Sequence, residues 1–183
     1  MKKILSFCLL FASTQSFAET PQYLQLIDKL DRPNDGYCID VVGSGEHVRF
    51  DMPLTAHNCK GPQVYHDEVV EFREDGTLYF PTYGGCVTVM GNNGTALSGN
   101  ALMLKVCDAR EPFLIAKPFQ HFEFNDQQQV QLKNTNLCMV AGDDSHTTFS
   151  PDHKWRSLYM EFCDVADTSL SRWHIIEAGG MRP

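Results

Sequence analysis

The sequence predicts an all-β domain assembled from a threefold internal repeat, on three observations. Six of its seven cysteines fall into pairs of similar spacing, short apolar stretches alternate with turn formers, and no stretch sustains a 3.6-residue apolar period. The pairs are Cys38 with Cys59, Cys86 with Cys107, and Cys138 with Cys163, at intervals of 21, 21 and 25 residues. First cysteines recur 48 and 52 residues apart. A triplicated unit of this kind points to binding more than to catalysis.

The N-terminus reads as an export signal. Lys2 and Lys3 precede a mostly apolar stretch over 4–17, and Ser16, Phe17 and Ala18 resemble a small-x-small cleavage site before Glu19. That stretch is too short to span a bilayer. Residues 1–18 are therefore expected to be a cleaved signal peptide, and 19–183 the mature domain. Cys8 lies mid-segment rather than at the cleavage point, which argues against lipid attachment. Six cysteines then remain, suited to an oxidising compartment, so the protein is expected to be secreted or periplasmic. Loss of Lys2 and Lys3 takes the net charge from −8 to −10. Such a surface repels nucleic-acid phosphates and anionic headgroups. With no basic run and no second long apolar run, neither a nucleic-acid partner nor a membrane span is expected.

The repeats run at about 23–76, 77–128 and 129–177 and share one grammar. A short apolar strand (23–27, 77–80, 130–132) precedes a strand bearing the first cysteine (37–41, 86–89, 137–140). A loop rich in turn formers follows, such as Gly43, Ser44 and Gly45, or Gly91, Asn92, Asn93 and Gly94. A further strand ends at the second cysteine. There Leu102, Leu104 and Val106 alternate with Met103, Lys105 and Cys107, and Leu158, Met160 and Phe162 alternate with Ser157, Tyr159 and Glu161. This is the period of a half-buried strand. The unit closes on Phe72, Phe124 or Trp173 with their neighbours. Six cysteines allow several connectivities, but a symmetric fold joins equivalent positions, which favours pairing within each repeat. Each bridge would then contribute about 3 kcal/mol by closing a loop of about 22 to 26 residues. Without a Cys-x-x-Cys pair or close cysteine spacing, redox chemistry and zinc binding are not expected.

The first element, Cys38, Ile39, Asp40 and Val41, resembles the Cys-Leu-Asp-Val strand of the ricin-type lectins. Family repeats carry a second cysteine about 20 residues later and close on Gln-x-Trp. Here Gln120, His121 and Phe122 form the best copy of that signature. Ser171, Arg172 and Trp173 keep only the tryptophan, and Glu68, Val69 and Val70 keep neither residue. The resemblance implies a β-trefoil with a barrel of six strands capped by six more. It also implies that the closing aromatics serve the core and that Gln120 makes structural hydrogen bonds.

In that family an aspartate two residues after the first cysteine accepts hydrogen bonds from sugar hydroxyls, and an aromatic ring stacks on the sugar. Only the first repeat supplies the set: Asp40, His57 in the stacking position, Thr55 two residues earlier, and Asp67 just before the degenerate closing signature. Thr88 and Val140 replace the aspartate elsewhere. If Cys38 and Cys59 lie opposite on antiparallel strands, Asp40 and His57 are also cross-strand neighbours. The resemblance implies a non-catalytic protein that binds a glycan or glycoconjugate, alone or as the targeting subunit of a toxin or enzyme assembly. The alternative is a trefoil scaffold that binds or inhibits another protein. No cofactor or metal is expected. Glu71 and Glu123 recur at equivalent positions, which on a threefold fold are spread apart rather than paired across a cleft as a glycosidase requires. The loop from His146 to His153 reads as solvated.

Overall fold

The computed structural model describes residues 20–111 and 114–178; the proposed signal peptide lies outside the described residues. The chain is all-β, with fifteen strands among the described residues. The first group is β1 (Gln22–Leu26), β2 (Tyr37–Asp40), β3 (Thr55–Asn58), β4 (Glu71–Phe72) and β5 (Leu78–Phe80). Next come β6 (Gly85–Val89), β7 (Leu102–Val106), β8 (Arg110–Glu111), β9 (Leu114–Ile115) and β10 (Phe122–Phe124). The last are β11 (Val130–Leu132), β12 (Leu137–Ala141), β13 (His146–Thr147), β14 (Lys154–Phe162) and β15 (Trp173–Glu177). The one α-helix among the described residues, α1, is the single turn Thr168–Ser171, whose Asp167 cap accepts a hydrogen bond from the Ser169 amide. No helix of the described residues is long and apolar enough to cross a membrane.

Nine strands form one sheet in the order β10-β11-β12-β14-β3-β2-β1-β15, with β13 added on β14. A second sheet runs β4-β5-β6-β7, and β8 pairs with β9. One register recurs three times. His174, Gln25, Cys38 and His57 face one another in sequence across four strands. Glu71, Tyr79, Cys86 and Lys105 repeat the row, as do Glu123, Gln131, Cys138 and Glu161. Core residues are likewise contributed in threes: Leu26, Phe80 and Leu132; Ile39, Val87 and Met139; Val70, Phe122 and Trp173. All nine are at most 1% exposed, and burying a side chain of this size contributes roughly 1.5 to 3 kcal/mol.

The disulfides join Cys38 to Cys59, Cys86 to Cys107 and Cys138 to Cys163, with Cα separations of 4.9, 5.1 and 5.0 Å. The strands stop one residue short of each second cysteine, contrary to expectation. Each first cysteine faces the residue two before its partner, so Cys38 pairs with His57 rather than lying opposite Cys59. The alternation ahead of the second cysteine also breaks at its last position. Leu102, Leu104, Leu158 and Met160 are buried, but Val106 is 71% and Phe162 48% exposed.

The closing positions need one adjustment. Backbone amides of Val70, Phe122 and Trp173 donate to the carbonyls of Gln22, Gly76 and Gln128, which makes these three residues structural counterparts. Phe72 and Phe124 instead pack edge-on, 5.3 Å apart, at the margin of the core. The indole of Trp173 donates to the Met139 carbonyl at 3.0 Å.

A buried cluster beneath an aromatic-walled cavity

Two strand ends and one loop build the candidate site. Asp40 ends β2, and β3 carries Thr55 and His57 on alternate positions of one face. Asp40 lies directly opposite Thr55. The two-residue offset in register therefore replaces the expected Asp40–His57 pairing. The two still meet on the diagonal, with His57 Nδ1 3.8 Å from Asp40 Oδ2. The segment after Cys59 then brings Lys60, Asp67 and Glu68 against them.

All four residues singled out from the sequence, Asp40, Thr55, His57 and Asp67, line one cavity of about 940 Å³. Its opposite wall comes from the far end of the chain. β14 pairs with β3, placing Trp155 opposite His57 and Ser157 opposite Thr55. Period-two geometry sends Trp155, Ser157 and Tyr159 to the cavity face. Tyr65, Phe149 and His153 complete an aromatic rim. His146 supports Trp155 at 5.1 Å between ring centroids. Gly43, at φ +91°, lines the mouth; a Cβ there would meet the His47 carbonyl at 2.2 Å, so only glycine fits.

A polar clamp holds the β14 wall. Asp31 accepts hydrogen bonds from Lys154 (2.6 Å), Arg156 (2.7 Å), the Tyr37 hydroxyl (2.7 Å) and the Ser145 hydroxyl (2.8 Å). Burial works against its charge, but these donors outweigh it and hold the Asp31 carboxyl far below the ordinary range. Arg156 also donates to the carbonyls of Gly142 and Asp143 and stacks over Tyr37.

The floor of the cavity is an ionic cluster. Lys60 Nζ donates to Asp40 Oδ2 at 3.2 Å and to Asp67 Oδ2, and lies 3.7 Å from Glu68 Oε1. Burial alone would lower the Lys60 pKa, but Asp40, Glu68 and Asp67 raise it above the lysine range. Burial pushes Asp40 up to about 8, opposed by Lys60 and reinforced by Asp67. Glu68 is driven well above the ordinary carboxyl range by burial and then by Asp40. Burial, followed by the Lys60 charge, lowers His57 to about 4, so its imidazole is neutral at pH 7. Its Nδ1 lies 3.0 Å from the Asn58 carbonyl; the tautomer that donates there leaves Nε2 as an acceptor.

Sequence reasoning missed Lys60, Glu68, Tyr65 and Trp155. Glu68 had a signal: it stands where Gln120 stands in the next segment, two residues before Val70 as Gln120 is two before Phe122. Tyr159, read as belonging to the third repeat, instead lines the cavity of the first, and His153 faces that cavity rather than open solvent. Thr88, in the place of Asp40, is fully buried and committed to the Cys86 carbonyl and Gln120.

The chain matches no protein-family model and no curated protein. Its structure is similar to a domain solved in solution and described as the mdaA-1 domain, with a TM-score of 0.57 and 14% sequence identity. The match covers 93% of this chain and 97% of that one. At such identity the likeness concerns the fold alone.

Proposed function

We propose that the chain is a secreted or periplasmic, non-catalytic carbohydrate-binding protein with a ricin-type β-trefoil fold and one sugar site in its first repeat. The observation that carries this reading is the convergence of Asp40, Thr55, His57 and Asp67 on one cavity walled by Trp155, Tyr65 and Tyr159. Sugars present hydroxyls to the polar floor and C–H faces to aromatic rings, so this pairing of surfaces suits them. The recurring strand register, the core residues in threes and the equivalent disulfides support the trefoil. Three disulfides are consistent with an oxidising compartment. A single site implies weak binding unless the chain is a targeting subunit, of a toxin or enzyme for example, or is presented in several copies.

A second reading, a scaffold that docks another protein, draws support from Phe149. Its side chain is fully exposed at the cavity rim, and Met52, which lines the same cavity, is 40% exposed. A glycan array on the mature protein separates the two. The sugar reading expects selective binding that Asp40→Ala reduces at least tenfold. Equal binding by the variant, or no glycan bound, rejects it; specific capture of a protein from the secreted fraction that Phe149→Ala abolishes would favour the second reading.

A further inference from the structure

Gln120 and Glu68 occupy equivalent places, each two residues before a counterpart in the core triad of Val70, Phe122 and Trp173, and each is 0% exposed. Gln120 satisfies its whole amide. Its Oε1 accepts from the Asp108 amide at 2.8 Å, and its Nε2 donates to Thr88 Oγ1 at 2.8 Å and to the Val106 carbonyl at 3.1 Å. Glu68 reproduces the accepting half: its Oε2 takes the Lys60 amide at 2.9 Å. The donating half has no counterpart in a carboxylate. In place of Thr88 stands Asp40, which shares the cluster with Glu68, and in place of Val106 stands Asn58, whose carbonyl is taken up by His57. Glu68 Oε1 and Asp40 Oδ1 are both buried with no hydrogen-bond partner among the described residues. One ligand atom from each of Asp40, His57 and Glu68 lies within 4.8 Å of the others.

We propose that Asp40 and Glu68 share one proton, with Glu68 standing as a neutral acid that donates to Asp40 and fixes its carboxyl at the cavity floor. Glu68 is thus a positioning residue. Two buried acceptors left unpartnered in one cluster would each carry an uncompensated desolvation cost, which a single hydrogen between the two carboxyls removes. A bound divalent cation would also satisfy them, but the Lys60 ammonium already fills the cationic place beside both carboxyls. The raised pKa values of both groups agree with the shared proton. The charged and titratable groups facing the pair are Lys60, Asp67 and His57, with Tyr23 beside Glu68 and Tyr83 beside Asp40 and Asp67. The effect on a ligand rests on the sugar reading above, whereas the proton itself does not.

The sign of the pH dependence follows. The folded state keeps a proton that the unfolded chain releases near its ordinary carboxyl range, so stability from this pair is complete at low pH and is lost as pH rises toward about 8. His57 adds a slope of opposite sign that fades as pH rises past 6.5, and it cancels in a ratio between two proteins that both carry it. The test compares denaturant unfolding of the wild type with Glu68→Gln, which carries the donor permanently, between pH 6.5 and 8. The folding constant of the wild type relative to the variant should fall about tenfold per pH unit. A ratio independent of pH overturns the proposal. Should Glu68→Gln not fold, Asp40→Asn supplies the donor from the other side and should flatten the profile equally. In the wild type, the Glu68 side-chain carboxyl carbon should hold its protonated NMR shift through pH 7; titration near 4.5 overturns the proposal. Stoichiometric micromolar zinc binding, lost in Asp40→Asn, would also overturn it by assigning the gap to a metal. None of these measurements uses a glycan, so a failed sugar reading and a failed proton assignment are distinguishable.

Discussion

Lys60 answers for more of the site than any other side chain. Its ammonium serves three carboxyls at once, and its own main-chain amide caps Glu68. Replacing it with methionine keeps most of its volume but leaves buried acids without a cation. Lys60→Met should cost about 3 kcal/mol at neutral pH. The cost should shrink toward pH 5, because the acids can then protonate; chemical unfolding at the two pH values measures the difference. His57 works in the opposite sense to the acids. Its depressed pKa means that its contribution is complete above the ordinary histidine pKa of about 6.5 and is lost as pH falls toward 4.

Among the elements, β14 decides what the cavity can hold. Its pairing with β3 bridges about a hundred residues of sequence, and its alternate residues Trp155, Ser157 and Tyr159 line the cavity that Asp40 also lines. Trp155→Ala should weaken glycan binding by about tenfold, in line with the loss of one stacking ring. Thermal unfolding should move little, since Trp155 is half-buried outside the main core. This contact explains why the site was only partly legible in sequence. Local spacing identified the cysteine pairs, and the resemblance to the ricin-type lectins singled out Asp40, Thr55, His57 and Asp67. Period two likewise located β7 and the buried positions of β14. Neither signal reports which distant strand borders β3, so neither places Trp155 or Tyr159 at this cavity. Glu68 is hidden for another reason: its part is defined by the hydrogen bonds that Gln120 makes at the equivalent place, which a closing signature does not express.

For the molecule as a whole, charge sorts ligands. Among the described residues that line the cavity, Lys60 is the only lysine or arginine, and its ammonium is engaged by Asp40, Asp67 and Glu68. The chain carries a formal charge of −8. Neutral glycans should therefore bind at least tenfold more tightly than the same glycans bearing sialic acid or sulfate, and low salt should widen the gap; paired titrations read this directly. The two tryptophans offer a separate way to follow the protein. Trp173 is sealed in the core with its indole hydrogen on Met139, whereas Trp155 stands at the cavity wall. Their fluorescence should divide accordingly. Iodide should quench the Trp155 share in the native protein and spare that of Trp173 until the chain unfolds, so one unlabelled sample can report occupancy and integrity in separate colours of its emission.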